Sequence, residues 1–128
     1  MGAVTVERRV EWSDTDAAGH HHFSAIQRWA EAAEAELLRS LDLDSLFGRI
    51  PRVHFSADYL SRLWFGEQVR IELRVDKVGT SSLHYSFTVY GPAGVAAEGR
   101  MSVVHSPSTQ SAPWPDQVRQ KLMEGTCA

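Results

Sequence analysis

Two hydrophobic periods divide the chain, and the order in which they occur is the strongest constraint on its fold. Val69, Ile71, Leu73 and Val75 alternate with Arg70, Glu72, Arg74 and Asp76, and Leu83, Tyr85, Phe87 and Val89 alternate with His84, Ser86, Thr88 and Tyr90. Successive side chains of a strand point to opposite faces, so each run reads as a strand with one wet face. Between residues 23 and 41 the period lengthens. Phe23, Ile26, Ala30, Ala33, Leu37 and Leu41 fall three or four apart, one stripe of an amphipathic helix in an alanine-rich segment. Ser24 and Gln27 have capping-box spacing, which puts the helix start near them.

The remaining segments follow the same rules. Val4, Val6, Val10 and Trp12 alternate with polar residues, with Arg8 as the one break, and predict a first strand; Val53, Phe55, Ala57 and Tyr59 predict a second. A fifth strand is expected from Val95 to His105. The Gly79-Thr80-Ser81 and Gly91-Pro92-Ala93-Gly94 turns join strands three, four and five into a meander. Prolines 107, 113 and 115 then stop regular structure, and Asp116 to Met123 predicts a short helix packed through Val118 and Leu122. Strand, long helix, then four strands is an α+β arrangement in one domain, residues 1–128. One helix has to cover the apolar face of five strands, so the sheet is expected to curl around it. An edge is still left open, which predicts a partner subunit, a homodimer or larger.

Composition narrows the function classes. With 13 Lys plus Arg against 16 Asp plus Glu and no basic block, capture of a long nucleic acid is not expected. Arg49, Arg52, Arg62, Arg70, Arg74, Lys77 and Arg100 are scattered and read as solvated positions. No apolar run is long enough to span a membrane, and the N-terminus lacks a signal-peptide core, so a cytoplasmic protein is expected. The single cysteine, Cys127, excludes a disulfide framework and a multi-cysteine metal site.

The densest chemistry lies in Asp14-Thr15-Asp16-Ala17-Ala18-Gly19-His20, between the first strand and the helix. An EF-hand loop is excluded because its fifth and twelfth positions would be Ala18 and Ala25. An Asp-x-Asp phosphotransferase needs a parallel sheet, which the meander denies. Two readings stay open. The aspartates serve turn and capping duty, or one carboxylate faces a helix N-terminus whose free N–H groups stabilise an oxyanion. Local chemistry alone leaves a binding protein and a hydrolase undecided.

The run Val10-Glu11-Trp12-Ser13-Asp14-Thr15-Asp16-Ala17-Ala18-Gly19-His20 before an alanine-rich helix resembles the hotdog-fold acyl-CoA thioesterases of the 4-hydroxybenzoyl-CoA thioesterase-like branch. The likeness extends to Phe55-Ser56-Ala57-Asp58-Tyr59, Gly66-Glu67-Gln68-Val69 and Val78-Gly79-Thr80-Ser81-Ser82, nearly the whole chain in order. It implies a hotdog fold, a long central helix wrapped by a five-stranded antiparallel sheet, in dimers that often pair into homotetramers. It also implies hydrolysis of an acyl-CoA without metal or cofactor, with Asp16 as the catalytic carboxylate and the backbone N–H of Phe23 as oxyanion donor. By the same resemblance the thioester lies at the dimer interface, against the partner's segment from His54 to Tyr59. His20 matches a Gly-His variant of the motif. His21 and His22 depart from it and read as loop residues or acyl-pocket lining, His22 being taken as substrate-binding. Ser81 and Ser82 are expected at the pantetheine or nucleotide, against a plain turn role.

Glu34 reads as a structural carboxylate, against a second carboxylate in the pocket; Glu31 reads as structural. Trp29, Tyr59, Trp64 and Phe65 are the candidate pocket aromatics, with a core role as their default. An acyl-thioester binding module, a carrier-protein thioesterase, and a hydratase using His54 or His84 are the alternatives.

Overall fold

The alternating segments become strands and the 3–4 stripe becomes a helix in a computed structural model, which describes residues 1–16 and 19–125. The order is β1 (Ala3–Arg9), a 3-10 turn (Trp12–Asp14), α1 (Phe23–Ser40), a second 3-10 turn (Asp44–Leu46), β2 (Arg52–Tyr59), β3 (Gln68–Val78), β4 (Ser82–Gly91), β5 (Gly94–Val104) and α2 (Asp116–Glu124). The sheet is antiparallel throughout, in the order β1-β3-β4-β5-β2. The β3–β4–β5 meander therefore forms its centre, and β1 and β2 are its edges. Cys127 lies outside the described residues, as do Ala17 and Ala18 of the motif.

One apolar core joins α1 to the inner face of the sheet. Ile26, Ala30, Ala33, Leu37 and Leu41 of the stripe are buried, against Ile71, Leu73, Leu83, Tyr85, Phe87 and Met101. Small residues on the helix let it lie close to the strands along its length. Asp42, in the left-handed region at φ 57°, stops the helix, and Arg39 in its last turn complements the dipole. β5 comes equally close to β2: a Cβ on Gly99 would overlap the Ser56 carbonyl oxygen and the Phe87 ring. Leu122 seals the far end with α2, and Arg119 ties that helix to the β3–β4 turn through the Gly79 carbonyl at 2.6 Å.

Four expectations are corrected. β1 ends at Arg9, because Asp14 folds back to accept the Glu11 N–H at 2.9 Å and turns 12–14 into a 3-10 helix; Trp12 is left exposed. The α1 cap is His22, whose Nδ1 accepts the Ser24 N–H at 3.2 Å, not Ser24 itself. Phe23 does not join the core stripe; at the first helical position it is 66% exposed. In β2 only Phe55 and Ala57 are half-buried against the core, while Val53 and Tyr59 are exposed, because this strand is an edge with a register shift between Arg52 and His54.

Candidate functional site

The segment between β1 and α1 is held in place by a set of backbone hydrogen bonds. Asp16 N–H donates to the His20 carbonyl at 3.0 Å, and Gly19, at φ +90°, donates to the Asp16 carbonyl at 3.1 Å. His22 N–H donates to the Asp14 carbonyl at 2.6 Å, and Ala25 N–H to the His22 carbonyl at 2.9 Å. With Ser24 N–H taken by His22 Nδ1, the Phe23 N–H is the one donor at the helix start without a partner among the described residues. Helix N-termini always leave such donors, and the dipole behind them favours negative charge.

The two aspartates of the motif divide their labour. Asp14 is buried; its Oδ1 accepts from Arg28 Nη2 at 2.8 Å and its Oδ2 from the Glu11 N–H. It locks the loop to the helix and has the turn role. Asp16 instead lines a surface cavity of about 700 Å³ with His20, His21, His22, Phe23 and Tyr59, closed on the other side by Leu60, Ser61 and Arg62. Its Oδ2 lies 3.3 Å from His20 Nε2.

Of the residues singled out from the sequence, Asp16, His20, His22, Phe23 and Tyr59 converge here within one chain. Tyr59 was expected from the partner subunit. It arrives from the same chain, its hydroxyl donating to the Phe23 carbonyl at 3.1 Å. His54 lies about 16 Å back along β2, near Ser56. Ser81 and Ser82 lie at the opposite end of the sheet: the Ser81 carbonyl accepts from His105 N–H, the Ser82 carbonyl from Trp114 Nε1, and Ser82 Oγ pairs with His84 Nε2. Within one chain, His54, Ser81 and Ser82 are thus remote from the cavity, because β2 and β4 run away from it. His84 is held between Ser102 and Ser82 and pairs with no carboxylate among the described residues.

Glu34 keeps its structural role. It sits three turns along α1, roughly 16 Å from the cavity, where Arg52 Nη2 bridges it at 3.1 Å and Glu31 at 2.9 Å. Burial works against the Arg52 charge, but the two carboxylates outweigh it and raise its pKa. Trp29 is core, Trp64 stands edge-on to His20 outside the cavity, and Phe65 packs edge-on against Trp12.

Sequence reasoning left out Leu60 and Ser61, which carry no motif, read Arg62 as a solvated position, and gave His21 no definite part. His21 is 7% exposed, stacked on Tyr59, and clasped twice by Leu63: its own N–H donates to the Leu63 carbonyl at 2.6 Å, and the Leu63 N–H donates to its Nδ1 at 3.0 Å. Burial first, then the neighbouring His20, push its pKa below the ordinary value; the Leu63 backbone and Asp16 pull the other way without reversing it. A second groove of about 720 Å³ crosses the outer sheet face, lined by Arg74, Asp76, Ser86, Glu98 and Arg100. Its charges are mixed and its lining comes from strands alone, whereas the first cavity includes the start of α1.

The model of the thioesterase-like superfamily matches residues 10–122, a span that contains the whole cavity. A 1,4-dihydroxy-2-naphthoyl-CoA hydrolase of Synechococcus sp. (strain CC9605) is 31% identical over 132 aligned positions, covering 93% of this chain and 89% of the relative. Two solved structures are each 25% identical with a TM-score of 0.87. One, described as a predicted thioesterase from Bacillus stearothermophilus, covers 98% of this chain and 97% of its own; the other, a thioesterase from Thermus thermophilus complexed with coenzyme A and Zn, covers 94% and 92%.

Proposed function

Because the chain belongs to the thioesterase-like superfamily, we propose that it hydrolyses an acyl-CoA thioester in the cavity at the start of α1, with Asp16 as the reacting carboxylate. The observation that carries this reading is that Asp16 and Phe23, whose N–H has no hydrogen-bond partner among the described residues, line the same cavity. The thioester carbonyl oxygen accepts from that N–H. As negative charge grows on the oxygen, the donor and the helix dipole stabilise it, a contribution typically worth ~2.7–4 kcal/mol for one donor. The Asp16 carboxylate adds to the carbonyl carbon directly, to be displaced later by water, or takes a proton from a water that adds. Either route breaks the C–S bond, releases CoA as its thiolate and leaves the free acid. Thiolate is a good leaving group, so no strong acid is required. His20, 3.3 Å from Asp16, orients the carboxylate. Phe23, Tyr59 and Leu60 give the acyl group an apolar wall.

The unpaired edge of β2 supports a homodimer, or a dimer of dimers, in which a second copy supplies the rest of the CoA site. His54, remote from the cavity of its own chain, is then available to the partner's cavity. The same assembly would let Ser81 and Ser82 of one chain approach a nucleotide bound at the other chain's cavity.

The test is thiol release from a panel of aromatic and aliphatic acyl-CoAs, with wild type and Asp16→Asn compared side by side. Turnover by wild type and a loss of about 100-fold or more in the variant are expected. Equal turnover by both would move the carboxylate elsewhere. No turnover of any ester by wild type would favour the binding-module reading.

A further inference from the structure

His21 is an unusual residue to find lining this cavity. It is the one lining residue that is buried, whereas Phe23, Tyr59 and Leu60 are all exposed. Its ring cannot turn freely. Leu63 grips it through both backbone groups, and Tyr59 stacks on it with centroids 6.2 Å apart. The grip also sets the proton. Nδ1 accepts the Leu63 N–H, so the neutral ring carries its hydrogen on Nε2. Nε2 has no partner among the described residues and is not sealed from solvent, since the buried unpaired side-chain atoms are Glu34 Oε2 and Tyr85 OH. The result is a neutral, oriented N–H donor on the buried side of the cavity, beside the apolar surface of Phe23, Tyr59 and Leu60.

We infer that His21 is a specificity residue whose Nε2–H recognises an oxygen acceptor carried by the acyl group, such as a ring hydroxyl, so that acyl-CoAs bearing one are preferred over unsubstituted ones. The inference rests on the thioesterase reading above. A plain aryl or alkyl group seated against the donor strips it of water and returns nothing, a cost of about 1–3 kcal/mol. An acyl group with an oxygen at that point replaces the water. Sites built to bond a polar group reject analogues that lack it far better than apolar pockets reject an extra atom. The low basicity of the ring supports this, since it keeps His21 an uncharged donor at neutral pH.

Two substitutions separate recognition from the clasp. His21→Asn places Oδ1 where Nδ1 was, so it can keep the Leu63 bond, but it has no atom at the Nε2 position. His21→Gln places an N–H at the Nε2 position. Hydrolysis of benzoyl-CoA and of its ortho, meta and para hydroxy derivatives is compared as ratios of kcat/KM, with melting temperatures recorded for each protein. The same esters are titrated calorimetrically into Asp16→Asn protein with and without His21→Asn.

At least one hydroxylated ester is expected to be preferred by about 10-fold in wild type. That preference is expected to collapse to below about 3-fold in His21→Asn and to persist in His21→Gln, in turnover and in binding alike. A purely structural clasp scales all esters together, so an unchanged ratio in His21→Asn overturns the inference. A wild type that prefers no hydroxylated ester overturns it too. If wild type hydrolyses none of them, the proposed function fails, and the binding ratio alone then decides on His21.

Discussion

At the scale of single residues, the two aspartates of the motif face different surroundings. Asp14 spends both carboxylate oxygens on Arg28 and Glu11, whereas Asp16 faces the cavity. His21 carries a pH signature. Its folded pKa lies below 6.5 chiefly because it is buried. The unfolded chain therefore binds the proton more readily, and the stability present above about pH 6.5 is lost as pH falls toward the lower folded value. The melting temperature should drop between about pH 7 and pH 5, and by less in His21→Asn; a thermal-melt series in both proteins checks this. Arg52 and Tyr85 give opposite outcomes in the buried cluster around Glu34. Arg52→Ala strands the Glu34 carboxylate and should cost about 3 kcal/mol, seen as a marked drop in melting temperature. The Tyr85 hydroxyl is buried with no well-formed hydrogen bond among the described residues, and burial first, then the nearby Glu34 carboxylate, raise its pKa. Tyr85→Phe should therefore leave stability unchanged or improve it. It was the family resemblance of the Asp-x-Asp-x-x-Gly run, not the spacing alone, that pointed to Asp16, His20 and Phe23, which line one cavity. Leu63 was not legible in the sequence, because its bond to His21 joins residues 42 positions apart.

Elements account for how those residues are presented. α1 begins where His22 caps it, and the chain enters at φ -75°, ψ 144°, an extended geometry that a following proline accepts. Phe23 is the first helical residue, where proline is well tolerated and removes only an N–H that the helix does not use. Phe23→Pro thus deletes the proposed oxyanion donor while sparing the fold. Its kcat should fall about 100- to 1000-fold, with a near-native melting temperature. Phe23→Ala keeps the N–H, and it measures how much of any loss belongs to the ring. The close approach of β5 to β2 makes a complementary prediction. Gly99→Ala would drive a methyl group into the Ser56 carbonyl and the Phe87 ring, costing about 1–3 kcal/mol or more. Hydrogen exchange should show β2 loosened first. Period two and the 3–4 stripe placed every strand and α1 within a few residues. They misplaced Phe23, because an exposed aromatic at a helix start continues the stripe in sequence while pointing away from the core in space. They also misread β2 as fully one-sided, because an edge strand has no neighbour to bury its outer residues.

The whole molecule has two sheet edges, and they differ. β1 presents Thr5, Glu7, Arg8 and Arg9, polar residues that suit water. β2 presents exposed Val53 near its start and exposed Tyr59 at its end, where it meets the cavity. An edge strand with apolar side chains invites pairing, and under the proposed homodimer a second copy of this chain would close it by two-fold symmetry. Pairing along β2 would bring each cavity, at the Tyr59 end, toward the other chain's β2 and complete a wall that is open in the single chain. Assembly and activity should then be lost together. Light scattering at micromolar concentration should give a mass at least twice the 14.3 kDa of the chain. Val53→Lys puts a charge on that edge and should lower both the mass and the rate of thioester hydrolysis, although residue 53 lies well away from Asp16 along the strand. A wild type that runs as a monomer with full activity would show that the cavity of one chain is sufficient, and that the exposed edge of β2 has no part in the chemistry.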